Sequence, residues 1–276
     1  MMVLDKRNIE NHPHLILQHL KGIDLDTSLV YIAGSLMEGF GNETSDIDVY
    51  VICKDISTDR FRGDPSSEEL ILSTQQAIVR NIRHDGIRYD FEYWSWNEFN
   101  QMIAKLNGLD FKTEHYIQRL SETEFDFLHR LKFGRPVINK EKFEEIYKSI
   151  QFNNLGFYQI VIKSEFYAGM VEDVQGALLS KDLGSAFFMA RMLIDTMVTS
   201  YLAAYGETNP SSKWLYRKII RYQEKTGDKI LLSKYLDFQT RPFDETTVER
   251  YTKEALWFCQ DLNVQVQTIL KKKQVS

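Results

Sequence analysis

The apolar positions of this chain change period about a third of the way along. An amphipathic stretch through His14, Leu15, Ile16, Leu17 and Leu20 predicts one short opening helix, and Ser28–Gly34 (SLVYIAG) is an apolar run stopped by glycine, the pattern of a buried strand. LMEGFGNETS, from Leu36 to Ser45, leaves room for about one helical turn before a polar loop. Ile47–Ile52 (IDVYVI) then predicts a second strand. Pro65–Ile82 offers Ser66 and Ser67 as caps, Glu68 and Glu69 in a first turn, and an apolar stripe through Leu70, Leu72 and Ile78, so a helix is expected there. Ile87–Trp94 alternates Ile87, Tyr89, Phe91 and Tyr93 with Arg88, Asp90, Glu92 and Trp94, the period-two pattern of a strand with one polar side.

Most of 96–132 and 140–272 has helical spacing instead. Gly134 and Pro136 interrupt the pattern, which places an expected domain boundary at 135/136: a mixed domain over 1–135 and a helical domain over 136–276. GETNPSS (206–212) and FQTRPFDETT (238–247) punctuate the helices. The fold class expected is α+β, a small sheet with flanking helices followed by an all-helical domain.

At 276 residues, with 43% hydrophobic and 26% charged residues and only 5 Pro, the chain can bury a sizeable core, which rules out disordered and low-complexity classes. A formal charge of −5 gives no broad basic footprint and argues against a nucleic-acid partner. Two cysteines far apart, Cys53 and Cys259, do not make a disulfide scaffold. No apolar run approaches ~18 residues and the first residues lack an apolar signal segment, so a cytoplasmic protein without a membrane partner is expected.

The chemistry concentrates between residues 34 and 92. Asp46 and Asp48 lie two apart at the start of a strand, so both side chains leave one face, with Ile47, Val49 and Val51 on the other. Asp90 and Glu92 form a second pair of the same kind, which strand pairing would bring alongside the first. Carboxylates so crowded repel one another unless a cation neutralises them, and all-oxygen ligands favour Mg2+, with Mn2+ possible. Magnesium shares its remaining ligands with phosphates, which points to a nucleoside triphosphate. Gly34 and Ser35 end the first strand where backbone N–H groups would face phosphate oxygens, and neither GxxxxGK nor GxGxxG is present. Ser45 is expected to brace the turn before Asp46. Glu38 is left outside the metal set, and the scattered histidines, His129 among them, are expected to be structural or surface groups.

GSLMEGFGNETSDIDVYVI, from Gly34 to Ile52, resembles the signature of the polymerase-beta-type nucleotidyltransferase superfamily. The resemblance covers about residues 28–94. It implies a small mixed sheet, two divalent ions, ATP as co-substrate, and transfer of a nucleoside monophosphate with release of pyrophosphate. Gly34 and Ser35 match the phosphate-contacting pair, Asp46 and Asp48 the metal-binding aspartates, and Asp90 the third acidic position. Glu92 shares the face of Asp90 and competes with it for that role.

A nucleotidyltransferase domain followed by helices is similar in layout to the aminoglycoside adenylyltransferases of the streptomycin and spectinomycin class. That likeness makes Lys213, after the GETNPSS break, and Arg191, within an apolar helix, candidate triphosphate contacts. An internal pair with Asp195 is the alternative for Arg191. The expected function is magnesium-dependent transfer of AMP from ATP to a hydroxyl of a small molecule, an aminoglycoside-like antibiotic being the nearest acceptor. Nucleotidylation of a protein or peptide and a nucleic-acid nucleotidyltransferase are the alternatives. The sequence leaves the oligomeric state open.

Overall fold

Side chains alternate across the strands of the first half as the period-two pattern requires, and the strands associate through the most apolar of them. The computed structural model describes residues 13–20, 22–54, 56, 70–73, 77–110 and 119–275. Two units divide the chain: Met1–Gly108 with Leu120–Gln151, and Leu109–Arg119 with Phe152–Ser276.

In the first unit the described strands are β1 (Leu29–Ala33), β2 (Ile47–Cys53), β3 (Leu70–Ser73), β4 (Ile78–His84), β5 (Ile87–Ser95) and β6 (Arg135–Ile138), in the order β3-β4-β5-β2-β1-β6. The sheet is mixed: β2 and β5 run parallel and the other neighbours antiparallel. Val30 and Ile32 of β1, Val49 and Val51 of β2, and Tyr89, Phe91 and Tyr93 of β5 bury one face beside Ile16 of α1 (Pro13–Gln18) and Leu20. The alternate positions Tyr31, Tyr50 and Trp94 bury the other face against Phe127 of α4 (Glu122–Leu131). Ring centroids there are 4.9 to 6.4 Å apart, the range of tilted and edge-to-face contacts. α3 (Trp96–Asn107) and α4 each begin with a capping box, Ser95 with Glu98 and Ser121 with Glu124.

Two expectations are corrected. The helix expected over Pro65–Ile82 is not formed: its described part holds β3 and β4, while 65–69 and 74–76 lie outside the described residues. Asp85 (φ 51°) and Gly86 (φ 76°) close a two-residue hairpin between β4 and β5, with His84 opposite Ile87. Two successive positive φ values give the turn whose twist suits a hairpin, so the Asp-Gly pair commits β4 to pairing with β5. The boundary at 135/136 also falls too early. β6 pairs with β1 (Val30 opposite Ile138), and α5 (Lys140–Ser149) places Phe143 5.6 Å from the Tyr31 ring, so residues through Gln151 complete the first unit.

The second unit is helical: α6 (Asn153–Leu179), α7 (Leu183–Ala204), a 3-10 turn (Ser212–Trp214), α8 (Leu215–Thr226), α9 (Ile230–Thr240) and α10 (Val248–Val275). Its core joins Leu193, Met197 and Leu202 of α7 to Ala255, Cys259 and Leu262 of α10, Ile219 of α8 and Phe238 of α9. The breaks expected at 206–212 and 238–247 fall between helices or at their ends. No helix among the described residues is long and apolar enough to cross a membrane.

Candidate active site

β1 delivers the chain in extended form to Ala33, and Gly34 then turns it at φ +79° into α2 (Gly34–Met37), a single turn. Two physical facts require glycine here. Positive φ strains any L side chain, and a Cβ on Gly34 would lie 1.8 Å from Asp48 Oδ2. The Asp48 carboxylate therefore packs directly on the backbone of the glycine-serine turn. Glu38 N donates to Gly34 O (3.1 Å) and Phe40 N to Ser35 O (2.8 Å), which closes the corner.

The following loop is braced as the sequence predicts for Ser45. Ser45 Oγ accepts from Asn42 N (2.8 Å), while Asn42 Oδ1 accepts from Thr44 N (3.0 Å) and Thr44 Oγ1 (2.9 Å). Asp46 then leads into β2, where Asp48 lies opposite Ala33 of β1 and opposite Asp90 of the parallel β5. Glu92 lies opposite Tyr50, two positions further along. The two acidic pairs thus share one region of the sheet, as the alternation implies.

Two arginines neutralise Asp46, Asp48 and Asp90 in the structure. Arg88 Nη2 is 2.5 Å from Asp46 Oδ2 and 2.6 Å from Asp90 Oδ2, and Arg88 Nε donates to Asp90 Oδ1 (2.8 Å). Asn81 Nδ2 donates to Asp90 Oδ1 as well (2.6 Å). Arg130 of α4 reaches Asp48 Oδ1 with Nη1 (3.1 Å) and Asp126 Oδ2 with Nε (2.7 Å). Guanidinium groups divide the carboxylates between them, and among the described residues no three His, Cys, Asp or Glu side chains form a group that could hold one ion.

The donor set still has the chemistry of a divalent oxygen site. One Arg88 nitrogen touches Asp46 and Asp90 together, which puts both within reach of a single cation, and Asp48 is the strand neighbour of Asp90. Burial pushes the Asp48 carboxyl up to about 6; Arg130 opposes the shift, and Asp90 and Asp46 add to it. Glu92 accepts from Trp94 Nε1 (2.7 Å), and burial raises its carboxyl to about 7 against the opposing pull of Trp94 and Arg130. Both carboxyls are raised chiefly because burial disfavours their charged form, with repulsion from neighbouring carboxylates a smaller contribution.

Arg88, Asn81, Asp126 and Arg130 were not among the residues singled out from sequence. Arg88 is detectable in principle, because it shares a strand face with Asp90 at i+2. Arg130 has no local signal, since it arrives from a helix more than eighty residues away. The remaining candidates, Arg191 and Lys213, lie in the second unit. Arg191 Nε donates to Gln239 Oε1 (3.1 Å), Nη2 donates to Gln239 O, and the guanidinium lies over Phe187. Asp195 accepts from Tyr235 Oη (3.0 Å) and Gln239 Nε2 (2.8 Å), so Gln239 stands where a direct Arg191–Asp195 pair was the alternative. Lys213 is exposed, with its ammonium 4.9 Å from the Trp214 ring centre.

No protein-family model and no curated protein matches the chain. Among solved structures it is similar to a nucleotidyltransferase-like protein from Exiguobacterium sibiricum 255-15. The two are 11% identical with a TM-score of 0.49, over 97% of this chain and 78% of that one. A likeness at that level decides nothing about chemistry.

Proposed function

We propose that the first unit is a nucleotidyltransferase catalytic domain that moves a nucleoside monophosphate, AMP from ATP, onto a hydroxyl of a small molecule. The observation that supports it best is the contact of Asp48 with Gly34. The carboxylate strand and the glycine-serine turn form one corner, where anionic phosphates and acidic ligands can share a cation.

Asp46, Asp48 and Asp90 would hold Mg2+, two ions on the family resemblance and with Mn2+ as a substitute. When bound, the metal neutralises charge on the phosphates and eases deprotonation of the acceptor hydroxyl. Gly34 and Ser35 take the triphosphate, the glycine by leaving room for close approach and the serine through its N–H and hydroxyl. The acceptor oxygen attacks the α-phosphorus, the bond to the bridging oxygen of the β-phosphate breaks, and pyrophosphate leaves with that electron pair. Glu92, with a carboxyl held near neutrality, accepts the hydroxyl proton. Arg191 and Lys213 are proposed as triphosphate contacts. For Arg191 this requires exchange of its Gln239 partner.

For the acceptor we infer a small polyhydroxylated, aminoglycoside-like molecule, on the similarity of layout to the antibiotic adenylyltransferases. Incubation with α-labelled ATP, Mg2+ and a panel of aminocyclitols, aminoglycosides, peptides and RNA tests it. A labelled small molecule with stoichiometric pyrophosphate is expected. Labelled peptide or RNA would move the acceptor class. Nucleotide binding without any product would replace the transferase with a sensor.

A further inference from the structure

Two consecutive residues of α4 grip the two halves of the carboxylate corner. Arg130 reaches Asp48 on β2, and His129 Nε2 lies 3.1 Å from Glu38 Oε2, at the residue that ends α2. The His129 and Glu38 side chains are only 2% and 7% exposed. A carboxylate taken out of water in this way needs a hydrogen-bonded partner, and the imidazole supplies one. Glu38 N in turn donates to Gly34 O, so a pull on Glu38 acts on the turn against which Asp48 packs.

α4 is itself well anchored. Its N-terminus carries the Ser121–Glu124 capping box, and Lys105 Nζ donates to Glu124 Oε1 (2.5 Å), which ties it to α3. Phe127 packs on Tyr50 and Trp94, and the His129 ring is 5.3 Å from that of Phe133. Among the described residues α2 has a single turn and no side-chain cap. A four-residue helix does not hold its own shape in water, so its position must be imposed from outside.

We propose that His129 is a positioning residue which, through Glu38, sets the Gly34–Ser35 turn against Asp48. The inference rests on the nucleotidyltransferase reading for what the corner binds, but not for what holds it in place.

Amide hydrogen exchange on the full chain tests the positioning without any ligand. The amides of Glu38, Gly39 and Phe40 bond within the corner. In His129→Leu they should exchange about tenfold faster, the equivalent of one charge-assisted hydrogen bond, with the β2 amides unchanged. His129→Gln, whose amide can still donate to Glu38, should restore most of the protection. Magnesium-dependent binding of a nonhydrolysable ATP analogue should weaken about tenfold in His129→Leu and recover in His129→Gln. If His129→Leu does not fold, Glu38→Ala carries the same two measurements. Unchanged exchange at 38–40 would overturn the inference, as would equal loss in the Gln and Leu variants. A wild-type chain that fails to bind the analogue, yet shows the exchange pattern, would sink the nucleotide reading and leave the positioning intact.

Discussion

Asp48→Asn should make the protein more stable and inactive. Its carboxyl rises from 3.8 to about 6 in the folded chain, chiefly through burial. Between those values the folded state keeps a proton that the unfolded chain has released, so the stability of the wild type falls as pH rises from about 4 to about 6 and then stays at the lower level. At about 1.4 kcal/mol per unit, the ionised group costs roughly 3 kcal/mol above pH 6. Asparagine keeps the volume and an acceptor for Arg130 Nη1, while Arg130 retains Asp126. That cost is already net of the opposing pull of Arg130, which leaves an expected stabilisation of up to about 3 kcal/mol at pH 8. Urea unfolding at pH 8 and at pH 4 measures it: the variant should exceed the wild type at pH 8 and match it at pH 4. Magnesium should stabilise the wild type far more than the variant, and labelled-ATP turnover should fall by several orders of magnitude. A variant less stable than wild type at pH 8, or a difference independent of pH, would refute the electrostatic account of this corner.

Three further outcomes follow from the same geometry. Gly34→Ala combines positive φ with a Cβ pressed into Asp48, and should cost about 2–4 kcal/mol in denaturant unfolding. Lys105→Met removes the cation facing Glu124, whose side chain is 4% exposed. Unfolding should show a loss of about 1–3 kcal/mol, because Ser121 N still donates to that carboxylate. Arg88→Gln frees Asp46 and Asp90 from their shared guanidinium, and should tighten Mn2+ binding about tenfold, followed by the paramagnetic signal of the free ion.

How far the sequence reveals this protein depends on whether a feature is local. Alternation in IDVYVI and IRYDFEYW places Asp48, Asp90 and Glu92 on one face, and the strand register agrees. The serine before Asp46 and the helical period of the second half are local as well. Pro65–Ile82 misleads because its caps and acidic first turn resemble a helix start, while the commitment to strand comes from the Asp85–Gly86 hairpin beyond its end. The boundary at 135/136 falls too early for a related reason: β6, four residues that include Pro136, joins the sheet only through β1, more than a hundred positions earlier. Repulsion among carboxylates is also foreseeable, but which cation answers it is not. Arg130 comes from α4, and nothing near residue 130 in the chain signals Asp48.

The two arginines differ in a way that bears on how such a corner would accept a metal. Arg130 is held by Asp126 one helical turn away, by Asp48, and by its place on an anchored helix, with 30% of its side chain exposed. Removing it would leave Asp48 to face burial alone. Arg88 stands on a strand, is 44% exposed, and bridges two carboxylates whose other neighbours include the neutral Asn81 amide. An exposed guanidinium can leave for water at small cost, whereas a partly buried one cannot. A divalent ion arriving at this corner would therefore displace Arg88 and leave Arg130 in place. Asp46 and Asp90 would then be freed to join Asp48 around the proposed ion, while Arg130 would keep its contact with Asp126. This asymmetry explains why crowded carboxylates can persist without unfolding the sheet.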